Sequence, residues 1–223
     1  MFKNRIEAGK KLAEVLLPYR GENPLVLAIP RGGVVAGYYV AKRLRCEFSV
    51  VICRKLGFPK NPEAAFGAVA EDKSLYLNPR YRSVLNKETI ENVMKKEAEE
   101  IKRRIKLYRK GEPLPEIRGR AIILVDDGIA TGSTLLAALE LCRKKGASRI
   151  IVAAPVSSEY MKEKLRNLVD EVIILETPHD FNAVSTFYED FKSIDDAEVI
   201  KFVEYAKEIT STDNLQNYEY SYS

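Results

Sequence analysis

Residues 121–134 read AIILVDDGIATGST. The five opening residues are apolar and largely β-branched, which marks a strand buried on both faces. Asp126 and Asp127 follow at once, then a short turn of Gly, Thr and Ser, then LLAALELCRK at helical spacing. The chain therefore leaves a buried strand, turns tightly among N–H and hydroxyl donors, and enters a helix. A helix N-terminus carries unpaired N–H groups and the positive end of the dipole, so it attracts phosphate. Thr131, Ser133 and Thr134 add hydroxyls, while Gly128 and Gly132 let backbone approach a ligand closely. The acid pair cannot take phosphate directly; it suits sugar hydroxyls or a hard cation. A phosphate cradle beside an acceptor pair fits a ribose 5-phosphate. A turn whose Asp and Thr merely cap the helix is the plainer alternative, but a cap needs one such residue and this turn holds several.

Residues 25–29 (LVLAI) form a second short apolar strand, followed by Pro30-Arg31-Gly32-Gly33 and a helical pattern over 34–44. This is a second strand–glycine loop–helix unit, in which Arg31 offers a donor fork and Gly32 room for backbone to close on an anion. Residues 49–53 read as another buried strand, delivering Arg54 and Lys55 to its end. Lys55 there can neutralise a bound anion or stand as a surface lysine; both readings stay open. Residues 56–79, rich in Gly and Pro, suit a hairpin turning at Glu71-Asp72. Residues 86–108 carry apolar positions at helical spacing, capped by Asn86, with a Lys/Glu face that reads as solvated. Residues 149–156 and 171–175 are further strands flanking a helix over 159–168. Alternating strands and helices imply a parallel α/β sheet of about five strands with helices on both faces, its ligands outside the carboxyl ends of the strands.

Composition bounds the reading. The chain has 223 residues, 46% apolar residues and a formal charge of +4. The charge is mixed, without an arginine-rich stripe, so nucleic acid is not an expected partner. Cys46, Cys53 and Cys142 are odd in number and form no C-x-x-C pair, which argues against disulfides and structural zinc. No apolar run reaches membrane-spanning length, and no signal-peptide core opens the chain, so no membrane partner and a cytoplasmic location are expected. His179 is the single histidine, and no G-x-S-x-G elbow accompanies it, which argues against a hydrolase triad. Neither dinucleotide nor P-loop glycine patterns occur.

The run of an apolar strand and Asp-Asp-x-x-Ala-Thr-Gly-x-Thr resembles the PRPP-binding signature of type I phosphoribosyltransferases. IPRGG, NPE-x-A-x-GAVA and VDDGIATG, spread over nearly the full length, are similar to phosphoribosyltransferases of unassigned substrate, and the PRPP motif itself to adenine phosphoribosyltransferases. The resemblance implies transfer of a 5-phosphoribosyl group from PRPP to a nitrogenous base, with Mg²⁺ as cofactor and pyrophosphate as leaving group. It assigns Asp126 and Asp127 as catalytic residues at the ribose hydroxyls and as metal ligands acting mostly through substrate and water. Gly128, Ile129, Ala130, Thr131, Gly132, Ser133 and Thr134 would hold the 5-phosphate; Arg31, Gly32, Gly33 and Lys55 would take pyrophosphate. It also implies a core over 20–178 with a flexible loop at about 56–85. A hood would come from 1–19 and 179–209, leaving 210–223 as a loose tail. The aromatics of 187–191 would then stack on a base or form the core of the hood. The family's dimers set the expectation of a homodimer.

The acceptor is less legible. The 6-oxopurine enzymes of the family carry another Asp where this chain has Ala130, and a candidate loop acid is limited to Glu63 or Glu71. A PRPP- or nucleotide-sensing protein of the same fold, without turnover, is the alternative class.

Overall fold

The computed structural model of the protein describes residues 1–81 and 85–219, with side chains left aside at 62, 63 and 210–219. The N-terminal helix α1 (Arg5–Val15) starts at Asn4, whose side chain accepts from the Glu7 N–H at 3.0 Å. It stops just short of Pro18, where a 3-10 turn takes over. Then come β1 (Leu25–Ala28), α2 (Gly33–Leu44), β2 (Glu47–Val50), β3 (Cys53–Phe58), β4 (Asn61–Ala70) and β5 (Leu75–Leu77). Helix α3 (Lys87–Arg109) leads to β6 (Ala121–Val125), α4 (Ser133–Lys144), β7 (Arg149–Val156), α5 (Glu159–Arg166), β8 (Glu171–Glu176) and α6 (Asp196–Glu219).

Five strands form one parallel sheet in the order β2-β1-β6-β7-β8. Register pairs Leu25 with Glu47 and Ile122, and Ile122 with Ile150. Side chains alternate between the faces. Leu25, Leu27, Ile122, Leu124 and Val152 pack under Leu135, Leu139 and Cys142 of α4 and Leu165 of α5. On the other face Val26, Ile123, Val125 and Ile151 meet Leu12 of α1, Leu16 just beyond its end, and Val40 and Leu44 of α2. Each such fully buried aliphatic contributes about 1.5–3 kcal/mol relative to exposure.

A second, antiparallel sheet in the order β3-β4-β5 stands beside the first. Its β4–β5 turn falls at the predicted Glu71-Asp72, with Asp72 Oδ1 accepting the Ser74 N–H at 2.9 Å. The expected single strand over 49–53 is corrected here. It ends at Val50, and Cys53 already pairs with Ala70 in the second sheet. The break has a physical cause. The Val51 N–H goes to the Ala28 carbonyl at 3.0 Å, whereas the Ile52 N–H goes to the Glu71 carboxylate at 2.9 Å. The segment at about 56–85, expected as a hairpin or flexible loop, is largely β-hairpin, and its residues 82–84 lie outside the described residues.

Helix α6 opens with a reciprocal cap, Glu198 N–H to Asp195 Oδ1 at 2.8 Å and Asp195 N–H to Glu198 Oε2 at 3.3 Å. It continues to Glu219, into the stretch from 210 expected as a loose tail, because no Gly or Pro interrupts it. The rest of the predicted tail, 220–223, lies outside the described residues. All three cysteines are buried, unpaired thiols, and burial pushes Cys46 and Cys142 up to about 12.

Candidate active site

Three chain segments end at one mouth of the parallel sheet. After β1 the backbone passes a cis Pro30–Arg31 peptide into Arg31-Gly32 and starts α2. After β6 it presents Asp126 and Asp127, turns through residues 128–132 and starts α4 behind Gly132, whose φ of +66° is the left-handed region where glycine is favoured. From the side, β3 brings Arg54 and Lys55. Between them lies a cavity of about 1070 Å³.

Its lining includes Arg31, Gly32, Lys55, Asp126, Asp127 and Thr134, so residues from all the predicted groups meet at one place. Asp126 is half-buried and Asp127 buried. Burial, then the neighbouring Asp127, holds the Asp126 carboxyl well above the usual carboxylate range. Its Oδ1 accepts the Asp127 N–H at 2.9 Å. Asp127 differs, because Arg5 Nε donates to its Oδ2 at 2.5 Å. The two acids are therefore unequal: Asp127 has a fixed protein cation and Asp126 has none within ion-pair distance among the described residues.

The turn after the acids divides in the same way. Ala130 and Thr131 are exposed and Thr134 faces the cavity. Among the described residues the N–H groups of 130–134 have no protein acceptor, as an anion cradle requires. Ile129 departs from its predicted role: its side chain is buried, its N–H donates to the Val156 carbonyl at 2.9 Å, and its carbonyl accepts from the Ser157 hydroxyl at 3.3 Å. Gly128 and Gly33 do not line the cavity but make room. A Cβ on Gly33 would stand 2.8 Å from Asp126 Cα, and one on Gly128 would stand 2.8 Å from Val184 Cγ2. Ser133 is buried within the first turn of α4.

Helix α3 supplies a wall that sequence reasoning missed. Thr89, Asn92, Val93, Lys96, Glu97 and Arg104 line the cavity from it, so the face read as solvated is in part a cavity wall. Arg54 pairs with Glu97 at 2.7 Å and Arg104 with Glu100 at 2.7 Å. Lys55 and Lys96 carry no ion pair among the described residues. The spacing 89, 92, 93, 96 marks one helical stripe, but the sequence does not show that the β3–β4 hairpin lies opposite it. The result is a cavity with a cationic rim and a carboxylate floor, suited to a polyanionic sugar.

Other candidates fall elsewhere. Glu71 is no loop acid, since it is buried in an ion pair with Arg109. The Glu63 side chain lies outside the described residues. His179 is exposed and does not line the cavity. The aromatics of the 181–191 segment pack with Phe2 in one hydrophobic cluster, Phe181 stacking on Phe187 with centroids 5.5 Å apart.

Residues 3–192 match the family model for the phosphoribosyl transferase domain, so the chain belongs to that family. Its five-stranded parallel sheet with flanking helices is the type I architecture. A Mycobacterium tuberculosis protein assigned by its name to the phosphoribosyl transferases (MT0597) is 37% identical over 208 residues. That match covers 92% of this chain but 47% of the relative, so the chain spans about half the length of that relative. The crystal structure of TT1426 from Thermus thermophilus superimposes with a TM-score of 0.78 at 40% identity, covering 91% of this chain and 97% of that one. A ribose-phosphate pyrophosphokinase of Pyrococcus furiosus matches over 64 residues at 39% identity, 28% of this chain and 23% of its own. No described helix is long and apolar enough to cross a membrane.

Proposed function

We propose that the chain is a phosphoribosyltransferase that moves a 5-phosphoribosyl group between PRPP and a nucleobase-like acceptor, in nucleotide salvage in the cytoplasm. The observation that carries this is one cavity lined by Asp126, Asp127, Arg31, Lys55 and Thr134, the last standing in a turn whose 130–134 N–H groups have no protein acceptor among the described residues. The 5-phosphate sits at the α4 N-terminus, where N–H groups and dipole favour it. Asp126 accepts from the ribose hydroxyls, and both carboxylates stabilise positive charge developing at the anomeric carbon. Arg31, Gly32 and Lys55 take pyrophosphate, with Lys96 of α3 adding charge from the opposite wall.

The donor set fits Mg²⁺ in one way. Among the described residues no group of three or more His, Cys, Asp or Glu could hold a metal, and one acid of the pair is engaged by Arg5. Such a set suits an ion held mainly by substrate phosphates and water, with Asp126 as a protein oxygen ligand. When bound, the ion shields the charge of the leaving pyrophosphate. A homodimer is the assembly proposed, on family grounds alone.

The test is pyrophosphate release from PRPP and Mg²⁺ across a panel of bases. Release with one acceptor supports the enzyme. Tight PRPP binding without release for any acceptor supports a sensor of the same fold instead.

A further inference from the structure

The floor of the cavity is gripped from the hood. Arg5, on the first turn of α1, is buried, its Nε donating to Asp127 Oδ2 at 2.5 Å. One terminal nitrogen donates to the Lys192 carbonyl at 2.6 Å, and the guanidinium lies 3.7 Å from the Phe191 ring centroid. The Tyr188 hydroxyl donates to the main-chain oxygen of Asp127 at 2.5 Å. Phe2 in turn is stitched to this segment, its N–H to the Phe187 carbonyl and its carbonyl to the Glu189 N–H, both at 2.8 Å. Asp127 is thus held through side chain and backbone by residues far from it in sequence. A buried ion pair contributes little net stability over an apolar substitute, whereas it fixes a side chain in one orientation.

We propose that Arg5 is a positioning residue for the sugar ring: by engaging one oxygen of Asp127 it sets that carboxylate beside Asp126 and couples the hood to ribose binding. The inference rests on the PRPP reading above. It separates two halves of the ligand. The ring depends directly on the acid pair and so on Arg5, whereas the pyrophosphate cations Arg31 and Lys55 are not touched by Arg5 and only Gly32, packed on Asp127, links the two halves.

The experiment is calorimetric titration of PRPP with Mg²⁺, ribose 5-phosphate, and pyrophosphate with Mg²⁺ into wild type, Arg5→Gln and Arg5→Lys, with a thermal melt of each. Arg5→Gln should weaken PRPP and ribose 5-phosphate by about 10–100-fold, as loss of an orienting partner typically does, and weaken pyrophosphate by a clearly smaller factor. Arg5→Lys, which keeps the charge, should recover part of the loss. Unchanged PRPP affinity in Arg5→Gln, or a parallel loss of pyrophosphate affinity, would overturn the inference. Should Arg5→Gln fail to fold, Arg5→Lys against wild type decides, because it must weaken the two sugar ligands more than pyrophosphate. Wild type that binds pyrophosphate but neither sugar ligand would remove the functional reading itself.

Discussion

Gly32 and Asp127 are in such close contact that a Cβ on Gly32 would lie 2.5 Å from Asp127 Cγ. The loop after β1 and the acid pair after β6 are therefore one packed unit, and the glycine is required by proximity rather than by backbone angle. Gly32→Ala must displace the carboxylate or the loop. It should cost about 1–3 kcal/mol of stability by overpacking. PRPP affinity should fall on the order of 10-fold or more as Asp127 moves off its partner. Denaturant titration and calorimetry check the two effects, and native affinity in this variant would contradict the packing account.

Asp126→Asn should stabilise the ligand-free protein while impairing it. The folded carboxyl is held above its ordinary value, so its stabilising contribution is present at low pH and lost as pH rises. Ionising the buried group as pH rises is a cost that asparagine removes, so the stability gain of the variant should grow with pH. A higher melting temperature with weaker PRPP binding is the expected pair of results. A lower melting temperature would show that the carboxylate supports the fold.

The Glu71–Arg109 pair should behave as structure. Their side chains are 7% and 5% exposed, Glu71 accepts the Ile52 N–H at 2.9 Å, and Arg109 donates to the Val50 carbonyl at 2.9 Å. Glu71→Ala leaves a buried guanidinium unpaired and should cost about 3–5 kcal/mol in urea denaturation. Adding Arg109→Met should cost less than the sum of the single changes, because the two groups share one interaction.

Acid sensitivity should have a part traceable to Glu100. Hydrogen bonds from Arg103 and Arg104 pull its carboxyl from 4.5 down to about 2. A depressed carboxyl contributes its stability above the unfolded value and loses it as pH falls through the folded one. The side chain is 28% exposed, so the screened contribution is about 1 kcal/mol or less. Wild type and Glu100→Gln should differ most at neutral pH, and their unfolding free energies should converge as pH falls from 4.5 towards 2.

Much of this was legible locally. The strands at 25–28 and 121–125 and residues 150–156 are unbroken apolar runs, and the acid pair with its donor-rich turn announces itself by composition alone. What failed was set by partners distant in sequence. Residues 49–53 look like one strand, and only the carboxylate of Glu71 at the Ile52 N–H splits them. The apolar stripe of α3 was readable, but the polar stripe at 89–96 lines a cavity because a hairpin faces it. Arg5 stands 122 positions from Asp127, and neither its neighbours nor its periodicity marks it as part of the site.

The most direct measurement is a crystal structure of the protein with PRPP and Mg²⁺. The 5-phosphate should lie against the N–H groups of 130–134, a ribose hydroxyl on Asp126 and the pyrophosphate beside Arg31 and Lys55. A ligand bound elsewhere, or a 5-phosphate lying instead against the α3 wall, would contradict this placement.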